Sequence, residues 1–245
     1  MTPKLFLIPK PKPNATLRLF CFPYAGGSPS IFMSWLSKLP EHIEIVLVQL
    51  PGRSARLMEV PYNKMNQIID ELMQYSDFIT EKPCVFFGHS LGSRVAYELA
   101  LTLHRSRQVL PLKLIASGSR APYLKGNKEP IYHLPEAEFI AELRDLNGTP
   151  KEVLDNAELM ELFLPLLRAD FEIADCYQAE EYPLPIPINV LFGHDDIEVT
   201  PSMVDAWQNL SALPITKHAF NGGHFFINTH SQQVIDTVSQ LINTN

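Results

Sequence analysis

The residues best suited to chemistry in this chain are a serine between glycines, a late histidine behind a glycine pair, and two adjacent carboxylates lying between them. Ser90 sits in Gly88-His89-Ser90-Leu91-Gly92. A serine hydroxyl is a weak nucleophile, and it needs a base to take its proton and a third group to hold that base. The Gly-x-Ser-x-Gly spacing alone is a modest signal, but its context adds weight. Val85-Phe86-Phe87 reads as a strand running straight into Gly88, and Leu91 to Leu103 reads as a helix. On such a strand-to-helix elbow the serine takes a strained backbone conformation that projects its hydroxyl, and glycines on either side avoid collisions with the neighbouring strand and helix. The chemistry this predicts is attack on an acyl carbonyl to give a covalent acyl-serine.

The base is sought among eight histidines. His42 and His104 fall at loop or helix-end positions, and His89 reads as no more than the variable residue of the serine motif. His224 differs, because Asn221-Gly222-Gly223-His224 follows the last strand-like run and the glycine pair lets a tight turn present an imidazole at the sheet edge. Enzymes built on this elbow run in the order Ser, Asp/Glu, His. The acid must therefore follow a late strand, and Val190-Leu191-Phe192 ends in Gly193-His194-Asp195-Asp196. Residue logic leaves Asp195 and Asp196 open, with Glu198 a distant third; aspartates also stabilise turns without any catalytic role. An oxyanion needs two backbone donors. The N–H of Leu91 is one, and the other is expected from the loop Phe22 to Ser28, where Gly26-Gly27 lets the backbone turn closely around a substrate oxygen. No Gly-Lys-Ser/Thr follows that loop, which argues against a nucleotide phosphate site.

Several elements must hold these residues. Leu17–Phe22, Ile43–Val48, Val85–Phe87, Leu112–Ala116, Ile188–Phe192 and Ile215–Phe220 read as strands. Phe32–Leu39, Met65–Ile79, Leu91–Leu103 and Gln232–Ile242 read as helices. This alternation predicts an α/β protein with a mostly parallel central sheet flanked by helices. With the serine elbow it is an α/β-hydrolase fold, expected as a single domain over residues 1–245. The rhythm breaks over about 121–187. There Phe139, Ile140, Leu143 and Leu146 share a helical face, Leu159 to Leu164 is apolar almost all round, and Pro165 must kink or interrupt its helix. An insertion that interrupts a resuming sheet predicts a helical lid over the carboxyl ends of the strands, with Leu159, Met160, Leu162 and Phe163 as a roof. The alternative is a purely structural elaboration.

Composition narrows the remaining classes. The chain is 46% hydrophobic and 19% charged, as in ordinary globular proteins. A formal charge of −7 and the absence of a Lys/Arg cluster argue against a nucleic-acid partner. Cys21, Cys84 and Cys176 are well separated and show no zinc spacing, so neither a metal nor a cofactor is expected; the first two fall in apolar strands as buried thiols. Residues 1–14 lack a signal-peptide core, and no run approaches the roughly 18 apolar residues of a membrane span. A cytoplasmic protein, acting as a monomer, is the expectation. Arg53, Arg56, Arg120, Lys125, Lys128 and Arg168 fall in loops or the insertion, either as solvated charge or as a basic rim for a partner.

Six runs taken together resemble the type II thioesterases, the stand-alone editing hydrolases of nonribosomal peptide and polyketide synthases. They are Phe22-Pro23-Tyr24-Ala25-Gly26-Gly27, Gln49-Leu50-Pro51-Gly52-Arg53, the Ser90 motif, Leu164-Pro165-Leu166-Leu167-Arg168-Ala169-Asp170-Phe171, Gly193-His194-Asp195-Asp196, and Gly222-Gly223-His224-Phe225-Phe226. The resemblance spans about Leu17 to Ile242. The run inside the insertion is the most telling, since no general hydrolase argument predicts it. The resemblance implies Ser90 as nucleophile, His224 as base, and Asp196, three positions after the glycine, as acid. It implies the N–H groups of Ala25 and Leu91 as oxyanion donors. It also implies an acyl or aminoacyl thioester substrate on the phosphopantetheine arm of an acyl or peptidyl carrier protein. A small-molecule carboxylesterase or lipase would use the same triad, and a non-catalytic binding module on this fold is a further alternative.

Overall fold

The computed structural model describes residues 3–126, 128–146 and 148–244. Its central feature is a seven-stranded sheet. The strands are β1 (Phe6–Leu7), β2 (Leu17–Phe22), β3 (Ile43–Val48), β4 (Cys84–His89), β5 (Lys113–Ser117), β6 (Ile188–Gly193) and β7 (Thr216–Phe220). Their spatial order is β1-β3-β2-β4-β5-β6-β7. Every pairing from β3 to β7 is parallel, and only β1 runs antiparallel, with Phe6 opposite Val48. Strands β2, β3 and β4 are buried along their whole length, which explains their unbroken apolar character.

Alternate residues of each strand feed two separate cores. On one face Phe20, Phe22, Phe86, Ala116 and Val190 pack with Ile68 and Leu72 of α1 (Met65–Met73) and Tyr97 and Leu99 of α3 (Leu91–Arg105). On the other, Leu19, Cys21, Phe87, Ile115 and Leu191 pack with Phe32, Trp35 and the late-helix residues Val234, Ile235 and Val238. The chain leaves β2 for β3 on one side and returns to β4 on the other. The order therefore reverses beside β2 and β4, and at such a switch point the loops beyond the carboxyl ends open a crevice. The loop holding Ala25 and the elbow holding Ser90 both begin there.

Two local expectations change, and one strand is unanticipated. Phe32–Leu39 is not an α-helix; the chain makes a 3-10 turn over Pro29–Trp35 capped by Ser28, whose hydroxyl accepts the Ser30 N–H. Met65–Ile79 divides into α1 and α2 (Ser76–Thr80), and the break turns Tyr75 and Phe78 onto the ring of Phe6 in β1. Strand β1 itself, two residues between prolines, offers no periodicity from which to infer it.

The insertion contributes α4 (Glu136–Leu146), α5 (Lys151–Leu154) and α6 (Ala157–Cys176). They share a small core of Phe139, Leu143, Leu154, Met160 and Leu167. Pro165 does not interrupt α6, which runs through it for 20 residues. Pro165 lacks the N–H that would bond the Glu161 carbonyl, and both residues are exposed. The remaining helices are α7 (Pro201–Asp205), α8 (Phe226–Thr229) and α9 (Ser231–Asn243). Among the described residues no helix is long and apolar enough to cross a membrane.

Candidate active site

Ser90 is the residue between β4 and α3, with φ 54° and ψ −117°. Positive φ is strained for a non-glycine residue, and the surroundings hold it in place. Its N–H donates to the Ser117 carbonyl of β5 at 2.8 Å. The glycines permit the crossing: a Cβ at Gly88 would lie 2.2 Å from the Gly92 carbonyl oxygen, and one at Gly92 would lie 2.1 Å from that of Phe22. The Ser93 hydroxyl donates to the Gly88 carbonyl at 2.7 Å and accepts the Ser117 N–H at 3.0 Å, locking elbow to sheet. Leu91 is the first residue of α3, so its N–H has no carbonyl within the helix to bond and stands beside Ser90.

His224 comes from the loop after β7. Its Nδ1 lies 2.8 Å from Oδ2 of Asp196, whose carboxylate is fully buried and also accepts the Glu198 N–H on Oδ1 at 2.9 Å. The two loops are zipped together, since His194 N–H donates to the Phe220 carbonyl and Asp195 N–H to that of Gly222. A Cβ at Gly193 would meet the Gly222 oxygen at 2.4 Å, so glycine is what lets the loops close. Asp195 uses only its backbone in this zipper and its side chain is exposed. Of the two candidate carboxylates it is Asp196 that faces the imidazole, while Glu198 pairs with Lys128.

Ser90, His224, Ala25, Tyr24 and Phe225 line one wall of a cavity of about 160 Å³. Ala25 lies in a turn closed by Gly27 N–H on the Tyr24 carbonyl at 2.8 Å, with Gly26 at φ +73°. That positive φ at the third turn position is the conformation glycine supplies. Opposite stand residues of the insertion, among them Ile131, Leu143, Leu146, Phe171 and Asp175. Leu159, Met160, Leu162 and Phe163 do not roof the cavity as expected. Met160 is in the core of the insertion and Leu162 points outward, because α6 turns its C-terminal half toward the site. Arg94, one turn beyond Ser90, also lines the cavity; burial and then the nearby Arg120 bring its guanidinium down to about 9.

His89 makes a contact with the His224 loop that motif reading missed. It is fully buried, its Nδ1 pairs with the Ser117 hydroxyl at 2.9 Å, and its Nε2 lies 3.0 Å from the His224 carbonyl oxygen. Burial, reinforced by His224, holds its pKa well below the ordinary value. A neutral His89 thus braces the backbone that carries His224. Nothing in a variable motif position signals a contact 135 residues away.

The basic rim is also corrected. Arg53 is buried against Asp170, and Arg56 is buried against Glu59 and Glu71. Arg120 donates to the Leu124 carbonyl, Arg168 lies over the Phe139 ring, and Lys128 pairs with Glu198. Of the six cations only Lys125 remains simply exposed. Arg53, Arg56 and Arg120 are buried struts, Arg168 is half-buried, and Lys128 stays exposed in its ion pair.

Comparison with known proteins agrees with this geometry. Residues 17–242 match the family model described as Thioesterase domain. The chain is 39% identical over 240 residues to linear gramicidin dehydrogenase LgrE of Brevibacillus parabrevis, covering 96% of this chain and 91% of that one. It is 39% identical over 223 residues to gramicidin S biosynthesis protein GrsT of Aneurinibacillus migulanus, covering 91% and 87%. Among solved structures it is similar to YbtT, a type II thioesterase from the yersiniabactin NRPS/PKS biosynthetic pathway, with TM-score 0.85, 31% identity, and coverage of 96% and 97%. Tyr24-Ala25-Gly26-Gly27-Ser28 after β2 does not carry the Gly-x-Gly-x-x-Gly fingerprint of a dinucleotide site. The elbow, the paired loops and the family match over nearly the whole chain lead to one conclusion: this protein belongs to the thioesterase family.

Proposed function

We propose that this thioesterase hydrolyses acyl or aminoacyl thioesters on the phosphopantetheine arm of carrier proteins, as the editing enzyme of a peptide or polyketide synthase. Ser90 is the nucleophile, His224 the base, Asp196 the acid, and the N–H groups of Ala25 and Leu91 receive the oxyanion. The observation that carries this reading is the 2.8 Å His224–Asp196 bond in the wall of the same cavity that holds Ser90 in its strained conformation.

The chemistry follows from those positions. Asp196 holds the proton on His224 Nδ1, which leaves Nε2 free to accept the Ser90 proton as Oγ attacks the thioester carbon. The carbonyl oxygen becomes anionic where backbone N–H groups are already in place, so little reorganisation is needed. The C–S bond breaks, and the departing sulfur takes the proton from His224. A thiolate leaves more easily than an alkoxide or amine, so this step asks little of the acid. Water then gives a proton to His224 and attacks the acyl-serine, and Ser90 leaves carrying that proton as the free acid departs. No cofactor or metal enters these steps. The reading includes a monomeric, cytoplasmic enzyme that meets its carrier partner without nucleic acid or membrane.

The test is hydrolysis of an acyl-carrier thioester beside an oxygen ester of the same acid. The expected result is faster turnover of the carrier thioester, abolished by Ser90→Ala in a folded protein. A strong preference for the oxygen ester would replace this reading with a carboxylesterase. Turnover surviving Ser90→Ala would remove the acyl-serine.

A further inference from the structure

Two of the runs quoted above, Gln49–Arg53 and Leu164–Phe171, have no task in the triad chemistry, yet the fold brings them together at the loop beside Ser90. Asp170 of α6 is 1% exposed. Its Oδ2 accepts the Gly26 N–H at 2.7 Å and Arg53 Nη1 at 3.0 Å, and its Oδ1 accepts Arg53 Nη2 at 2.8 Å. Arg53, 3% exposed, uses Nη1 again to donate to the Gly27 carbonyl at 2.9 Å. Leu167, one turn earlier in α6, packs so closely that a Cβ on Gly26 would lie 2.6 Å from its Cδ2.

These contacts immobilise the peptide units around Ala25. The Ala25–Gly26 unit is held by Asp170, and the Gly27 carbonyl by Arg53. The Tyr24–Ala25 unit is held by the Gly27 N–H on the Tyr24 oxygen. In a trans peptide the C=O and N–H point in opposite directions, so fixing the Tyr24 carbonyl also aims the Ala25 N–H. A buried bidentate carboxylate–guanidinium pair resists rotation about either side chain, which makes it a stiff support.

We propose that Asp170 is a positioning residue for hydrolysis: from the lid helix, and with Arg53, it sets the Tyr24–Gly27 turn so that the Ala25 N–H points at the developing oxyanion. The proposal rests on the reading of Ala25 as an oxyanion donor. It ties the insertion to catalysis through the oxyanion hole as well as through the acyl cavity.

The experiment compares wild type with Asp170→Asn and with the paired replacement Arg53→Met and Asp170→Leu. The pair is included because Asp170→Asn alone leaves a buried guanidinium without its counter-charge, whereas the double change removes both charges. Two readouts are used on folded protein: kcat and KM for an acyl-N-acetylcysteamine thioester, and the hemiketal pKa of a ¹³C-carbonyl trifluoromethyl ketone adduct on Ser90. A merely structural strut moves the melting temperature and neither readout. The expected result is a fall in kcat of about a hundredfold with KM little changed, matching loss of one oxyanion donor. The hemiketal pKa should rise by about two, the same hundredfold. A folded double variant with kcat within about threefold of wild type and an unmoved hemiketal pKa overturns the positioning role while leaving the oxyanion reading intact. A wild-type adduct ionising no more readily than the free ketone hydrate overturns the oxyanion reading, and the proposal with it.

Discussion

Asp196→Asn is the substitution whose outcome the geometry determines most sharply. The carboxylate is fully buried and its two oxygens have different duties: Oδ1 accepts the Glu198 N–H at 2.9 Å and Oδ2 faces His224 Nδ1 at 2.8 Å. An asparagine must place its oxygen at one of these and its NH₂ at the other. The Glu198 N–H is a fixed donor, so the oxygen goes there and the NH₂ faces Nδ1. Nδ1 then has to accept, which moves the ring proton to Nε2 and removes the base. The reversed amide would set two donors against each other, at a cost of about 1–3 kcal/mol for the unmade bond. At the upper end about one molecule in a hundred is productive, and that molecule has lost the charge that stabilises the imidazolium. A charge-assisted bond exceeds a neutral one by roughly 1–2 kcal/mol, another tenfold or more. The product is a kcat loss of about 10³–10⁴, the range reached when the acid of a serine protease triad is made an amide. Because both hydrogen bonds survive in the other tautomer, Tm should move by no more than about 4 °C. Single-turnover acylation with an N-acetylcysteamine thioester measures the chemical step, and Asp195→Asn serves as control. Asp195 is exposed and uses only its N–H, so its rate should stay within about twofold of wild type. The reasoning fails if Asp196→Asn keeps more than a tenth of wild-type kcat, or if Asp195→Asn shows the large loss instead.

Three further outcomes follow from the same structure. Gly92→Ala would drive a Cβ against the backbone oxygens of Phe22 and Pro23 at 2.1 and 2.7 Å, atoms that cannot move aside as a side chain can. It should cost about 3 kcal/mol, lowering Tm by roughly 6–12 °C in a melting experiment; an unchanged Tm contradicts the tight crossing of elbow and loop. Burial holds the His89 pKa well below 6.5, so the unfolded chain takes up that proton first as pH falls, and His218 adds in the same sense. Stability is therefore full above about pH 6.5 and declines below it, with His89 contributing a slope approaching about 1.4 kcal/mol per pH unit. Urea unfolding between pH 6.5 and 5 should show the slope shrinking in His89→Asn, and an identical slope rejects the assignment. Burial pushes the Cys84 thiol up to about 12 and Cys21 well above its ordinary value, whereas Cys176 is exposed. Ellman's reagent should titrate one thiol quickly in native protein and all three in denaturant, and a second fast thiol would place Cys21 or Cys84 at the surface.

What can be read from such a chain depends on how far a constraint reaches along it. Ile43–Val48 announces a strand because both its faces are buried, and that demand is written in every one of its own residues. The elbow is legible for a similar reason. Gly88 and Gly92 lie four residues apart, and Gly88 excludes a Cβ by a contact inside the motif, with the backbone of Gly92 and Ser93, although the contact that excludes one at Gly92 comes from Phe22 and Pro23 after β2. Asp195 and Asp196 mark the limit, since adjacent residues in a turn differ in which way they face, and here that is decided by a zipper to Gly222 and Phe220 in another loop. Beyond that limit lie His89, whose partner is 135 positions away, and Arg53 with Asp170, separated by 117. An arginine in a loop reads as solvated because most are, and only the carboxylate that meets it makes it a strut. The apolar stretch Leu159–Leu164 misleads in the opposite sense: hydrophobicity shows that a segment must be covered, not whether ligand or neighbouring helix covers it, and here Met160 finds its cover in Phe139 and Leu143. The Leu164–Phe171 run resisted explanation for the same reason as the arginines, because Asp170 acts on a loop that begins near residue 24, and a one-dimensional reading sees the two ends of that bond as unrelated.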